Sequence, residues 1–153
     1  MKKLVLLYGL ILFFTASLSA QNITESNGVY YSGEQLYTGI YTTHFDNGNI
    51  KMTVALKEGL KDGETRLYFV NGKLSEIRSY KANQMNGTWE TFNEKGIRTA
   101  LANYKEGKKQ GEWKIWDDNG HLIYDMKYEN GEKAGKWKKF DAASGELLSE
   151  RTF

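Results

Sequence analysis

The chain has two imidazoles, His44 and His121, and no cysteine. Nucleophilic and metal chemistry therefore has few places to start, because a general base or a zinc site needs several such groups converging. His44 stands where equivalent positions of the chain carry aromatic rings, and His121 follows a turn glycine. Both read as variants of a repeated pattern rather than as catalytic groups. Asp117-Asp118-Asn119-Gly120 resembles the start of a calcium loop but lacks the further spaced ligands and the closing glutamate. Asp and Asn before glycine are ordinary turn chemistry. No glycine motif opens a helix as a phosphate loop requires, and no serine sits in a nucleophile elbow. The expectation is a chain that is not an enzyme and uses no metal and no cofactor.

Aromatic side chains are the remaining chemistry. They make up 14% of the residues, with 10 Tyr, 7 Phe and 4 Trp. Trp89, Trp113 and Trp137 form one evenly spaced series, and Phe92, Trp116 and Phe140 form another three residues further on. Large flat rings bury well, so most of them are expected to be core. A single-layer sheet, however, cannot cover both of its faces. One of the two series would then remain as an exposed aromatic stripe, a candidate binding surface for a partner.

The elements that place these rings follow from a period of 24 residues. Gly39, Gly63, Gly87, Gly111 and Gly135 lead the units. A second glycine follows nine residues later at Gly48, Gly72, Gly96 and Gly120, and ten later at Gly145. A third slot holds Gly59, Gly107 and Gly131, with Asn83 as the natural substitute where φ is positive. The segments between the first two glycines, such as Glu112–Trp116, and after the second, such as Leu122–Tyr128, are of strand length and rich in β-formers. Each unit therefore reads as a β-hairpin closed by a three-residue turn ending in glycine. The stretches Lys57–Asp62, Lys81–Asn86, Lys105–Gln110 and Glu129–Ala134 read as longer polar connections. In the second strands, Ile50, Met52, Val54 and Leu56 alternate with Lys51 and Thr53, giving one buried and one wet face. The two aromatic positions of the first strand have opposite parity. That requires either a bulge, the preferred reading, or aromatics on both faces.

The expected fold is all-β: a single-layer antiparallel β-meander of five repeats, 39–62, 63–86, 87–110, 111–134 and 135–153. A lead-in strand or hairpin over 21–38 precedes it. The unit Gly-x-Trp-x-x-aromatic, closed by Tyr-Lys-x-Gly, resembles the MORN-repeat variant of bacterial YwqK-family antitoxin proteins. The resemblance is plainest in Gly87–Phe92 with Tyr104–Gly107 and in Gly111–Trp116 with Tyr128–Gly131. It implies a module that binds and neutralises a toxin. A second implication is a structural or cell-surface module contacting membrane lipid or glycan. Thr65, Asn83 and Arg98 depart from the pattern, which suggests less regular packing in the second and third units.

Residues 1–20 read as a secretory signal peptide. Met1-Lys2-Lys3 is basic, an uncharged apolar run extends to Phe14, and small residues lead to Ala20. The expected location is thus exported, periplasmic or secreted, in a bacterium. The formal charge of +2 equals the contribution of Lys2 and Lys3, so the remaining chain is balanced. That balance speaks against a nucleic-acid partner. The repeat resemblance and the aromatic stripe imply a protein partner, with a membrane surface as the weaker option. The final strand ends at Phe153 as a bare edge, which permits pairing between chains and leaves the oligomeric state open.

Overall fold

A computed structural model describes residues 22–153. The segment read as a signal peptide lies outside them. The described residues contain strands and turns and no helix. Three short strands come first, β1 (Ile23–Ser26), β2 (Val29–Ser32) and β3 (Gln35–Leu36), paired as a small antiparallel sheet. The lead-in over 21–38 is thus a three-stranded meander.

Five hairpins follow. They are β4 (Gly39–His44) with β5 (Ile50–Lys57), β6 (Leu60–Tyr68) with β7 (Leu74–Lys81), and β8 (Gln84–Phe92) with β9 (Arg98–Lys105). The two-residue β10 (Lys108–Lys109) then leads into β11 (Gly111–Trp116) with β12 (Leu122–Glu129), and β13 (Glu132–Phe140) pairs with β14 (Leu147–Thr152). The strands stand side by side in chain order from β4 to β14, with β10 paired to β9 beside β11. Every pairing is antiparallel, so the main sheet is the single-layer meander that the glycine period implies.

Two kinds of turn alternate along its margins. Within a unit, the three-residue turn ends in a glycine with positive φ, such as Gly48 at 85° and Gly120 at 89°. Between units, the supposed longer connections are tight two-residue turns. Lys57 pairs with Leu60, Lys81 with Gln84, Lys105 with Lys108 and Glu129 with Glu132. Both central residues take positive φ, as in Glu58 at 50° with Gly59 at 76° and Ala82 at 47° with Asn83 at 66°. That is a type I′ geometry, whose twist matches the flanking strands. The polar residues on either side belong to strands with wet ends, and this corrects the loop reading.

Each hairpin also carries a bulge. The register slips between Thr43 and His44, Leu67 and Tyr68, Thr91 and Phe92, Ile115 and Trp116, and Lys139 and Phe140. The extra residue lies in the second strand: Thr43 faces Met52 while His44 faces Ile50, which leaves Lys51 over. The first strand keeps its alternation, so bulges and aromatics on both faces coexist. The slip also detaches Ile50, at 40% exposure, from the row containing Val54, at 0%.

The most buried side chains are Tyr30, Val54, Leu56 and Thr65. Tyr30, Val54 and Leu56 form the core, with Ile23, Tyr37, Tyr41 and Met52 packed around them, where the small sheet folds onto the first hairpin. Burying Val54 and Leu56 contributes roughly 1.5–3 kcal/mol each. The backbones are laced together: Tyr30 N–H donates to the Gly59 carbonyl and Gly59 N–H donates to the Tyr37 carbonyl, both at 2.8 Å. Gly59 has no room for a side chain, since a Cβ would stand 2.8 Å from Val29 Cγ1 and 2.9 Å from Leu36 Cδ2.

The three departures from the repeat pattern each have a distinct environment. Asn83 Oδ1 accepts from Lys61 N–H at 2.7 Å, and its Nδ2 donates to the Gly28 carbonyl at 2.9 Å. Arg98 pairs with Glu90 at 2.7 Å and lies over the Trp116 ring. Thr65 is buried, although its hydroxyl has no hydrogen-bond partner.

Candidate functional site

Strand register decides which rings share a face. Gly87 stands opposite Tyr104, and Gly111 opposite Tyr128. The glycine leaves open sheet surface where the tyrosine ring can lean over. Two residues on, Trp89 and Trp113 point to the same face. The result is one continuous ladder: Tyr80, Trp89, Tyr104, Trp113, Tyr128, Trp137 and Phe153, with successive ring centroids 5.0–5.4 Å apart. Interplanar angles of 52–66° put ring edges against ring faces, the arrangement the aromatic quadrupole favours.

Three members are anchored by their indole nitrogens. Trp89 donates to the Ser79 carbonyl at 3.0 Å, Trp113 to Asn103 at 3.1 Å and Trp137 to Lys127 at 2.9 Å. Around Ser79 and Lys127 the register with the next unit slips, so ordinary ladder bonds are interrupted there. The indole therefore completes backbone bonding that a phenyl ring could not. At the second unit Thr65 replaces the tryptophan, and the ladder does not extend past Tyr80 towards the core. Burial pushes the Tyr104 phenol above its ordinary pKa, as it does Tyr30 in the core.

Phe92, Trp116 and Phe140 lie on the opposite face, reached by the unbroken alternation of the first strand. All three are half-buried. Arg98 covers Trp116 at 4.9 Å. The six candidate residues therefore divide between two faces and do not form one stripe. Trp89, Trp113 and Trp137 share their row with Tyr80, Tyr104 and Tyr128, which stand outside both series read from the sequence. The glycine opposite each tyrosine was the signal that joins them.

Basic side chains lie on the ladder. Lys109 Nζ is 4.6 Å from the Trp113 centroid and 4.7 Å from that of Tyr128. Lys133 repeats this between Trp137 and Phe153, and Lys61 sits 5.2 Å above Tyr80. These three lysines occupy one repeat position, two residues before the leading glycine.

The two turn aspartates whose pKa values are lowered act as braces. Asp117 Oδ1 accepts from Asn119 N–H at 2.9 Å and His121 N–H at 2.8 Å. Its Oδ2 meets His121 Nδ1 at 2.9 Å. The carboxyl is held below its ordinary range, first by the His121 backbone bond. Asp141 is lowered likewise by Ser144 and Ala143. Among the described residues, no group of three or more His, Cys, Asp or Glu could hold a metal ion, and no helix is long and apolar enough to cross a membrane.

Fold and site together define a class: a non-helical repeat protein in which each hairpin stacks on the last and exposes a regular surface. Residues 61–82 and 109–130 match the family model of the MORN repeat variant. Both matches start at the lysine that covers the ladder and end at the first residue of a type I′ turn. The intervening unit has the same fold. No curated protein matches the chain. MORN repeats are in general non-catalytic modules of protein or membrane interaction.

Proposed function

We propose that the protein is an exported, non-enzymatic β-repeat module that binds a protein partner across its ladder face. One observation carries this reading. Among the described residues no second layer covers the ladder beyond the first hairpin, so a contiguous aromatic row stays half-buried, with Phe153 exposed at its end. Such rows are where partner side chains gain most by excluding water. The perturbed carboxylates support a non-catalytic role, since each is engaged in a turn or with lysine.

Co-purification from native cells tests the reading. Ile115, at 39% exposure on the ladder face, and Ile40, at 61% on the opposite face, can both be changed without opening the core. Ile115→Glu should lose the partner and Ile40→Glu should keep it. Retention by both variants would defeat the proposal.

Export rests on the Lys2-Lys3 start, the apolar run and the small residues before Gln21. N-terminal sequencing of the native protein should begin at Gln21, and an intact Met1 would contradict export by cleavage. The narrower reading of an antitoxin or immunity factor rests on the repeat resemblance. Its test is whether the captured partner is toxic when expressed alone and harmless when co-expressed with this protein.

A further inference from the structure

We infer that the ladder face is a receptor for an acidic peptide segment carrying a large apolar side chain, seated at the fifth hairpin. This rests on the ladder face being the binding surface and names the chemistry of the partner.

Charge is segregated between the two faces. On the strands of the main sheet, register places Lys61, Arg78, Lys109, Lys133, Lys139 and Arg151 on the ladder face. Glu76 is the acid that joins them, and it already pairs with Arg78. The opposite face instead neutralises itself, through Arg66–Glu64, Arg98–Glu90, Lys114–Glu112 and Lys136–Glu150. A chain balanced overall outside Lys2 and Lys3 thus presents one strongly basic face, and it is the aromatic one.

The segregation culminates between β12 and β14. A concavity of about 240 Å³ opens there, floored by Tyr124, Met126, Trp137 and Phe153 and rimmed by Lys133, Lys139 and Arg151. None of the three rim bases forms an ion pair among the described residues. Lys133 Nζ lies 4.5 Å from the Trp137 centroid, and the Arg151 guanidinium lies 4.9 Å from that of Phe153. Cations held against rings without a counter-charge favour an incoming carboxylate. The floor takes one large apolar side chain and the rim takes the acids beside it. That is the scale of a peptide segment, whereas a bilayer would meet only the lysine tips.

The test uses the purified full chain and two synthetic peptides, Glu-Glu-Phe-Glu-Glu and Lys-Lys-Phe-Lys-Lys, read by tryptophan fluorescence. The acidic peptide should bind and weaken as salt rises, and the basic one should not bind. Lys133→Gln, Lys139→Gln and Arg151→Gln combined should weaken the acidic peptide about tenfold or more, with Lys139→Gln alone giving a smaller loss in the same direction. Lys114→Gln with Lys136→Gln, on the opposite face, should leave it unchanged. Equal binding of both peptides, an equal loss in the opposite-face variant, or flotation with phosphatidylglycerol vesicles without peptide binding would overturn the inference. A partner lost on Ile115→Glu without acidic-peptide binding defeats this inference alone. Peptide binding with a partner indifferent to Ile115→Glu defeats the earlier reading instead.

Discussion

An indole nitrogen explains why tryptophan rather than phenylalanine fills three ladder positions. Trp89, Trp113 and Trp137 each donate to a backbone carbonyl of the preceding unit. Trp89→Phe keeps a ring in the ladder but leaves the Ser79 carbonyl without that donor. It should lower unfolding free energy by about 1–2 kcal/mol in urea titration. Trp116→Phe, on the other face under Arg98, should cost less, because its ring is covered by a guanidinium rather than tied to backbone. Equal losses would remove the indole bond from the account. The recurrence of these tryptophans was plain in the sequence. Their hydrogen bonds were not, because the acceptor depends on a register slip that only strand pairing creates.

At the scale of elements, the turns hold one unit to the next. Asn83 supplies both a positive φ and two side-chain bonds, one to Lys61 and one to Gly28 of the small sheet. Asn83→Gly keeps the backbone conformation and deletes the brace. Hydrogen exchange should then speed up around β2 while the distant β13–β14 hairpin is unaffected, with a stability loss on the order of 1 kcal/mol. The turn carboxylates set a pH response. Asp117 and Asp141 have folded pKa values below their unfolded ones, so the unfolded chain takes up protons first as pH falls. Their contribution is fully present above the ordinary carboxylate range of about pH 4 and is lost as pH falls through the folded values. Asp117→Asn with Asp141→Asn should flatten that acid limb of the stability curve, and an unchanged limb would count against the turn role. The glycine lattice makes the three-residue turns legible in the sequence, while the type I′ connections look like loops there. Strand ends rich in Lys, Glu and Asn look like loop by composition, and only paired positive φ values at Glu58–Gly59 and Ala82–Asn83 separate the two.

At the scale of the molecule, a one-dimensional stack with its core at one end should unfold unevenly. Tyr30, Val54 and Leu56 lie where the small sheet covers the first hairpin, whereas β14 is exposed along its whole length. Amide exchange should therefore be fastest in β14 and slowest in β5, and uniform exchange would contradict a stack held by neighbour contacts. Repeat number, order and hairpin form were all readable from the glycines. Face assignment was not, because opposite parity within a strand could mean a bulge or two aromatic faces, and both occur. The functional claim rests on that assignment: the aromatic, basic face binds and the internally paired face does not. Site-specific photo-crosslinking in native cells measures this directly. A photoreactive residue at position 115 or 67, on the ladder face, should give a discrete adduct with the partner, and one at position 40 or 114, on the opposite face, should give none. Adducts from positions 40 and 114 as strong as those from 115 and 67 would contradict it.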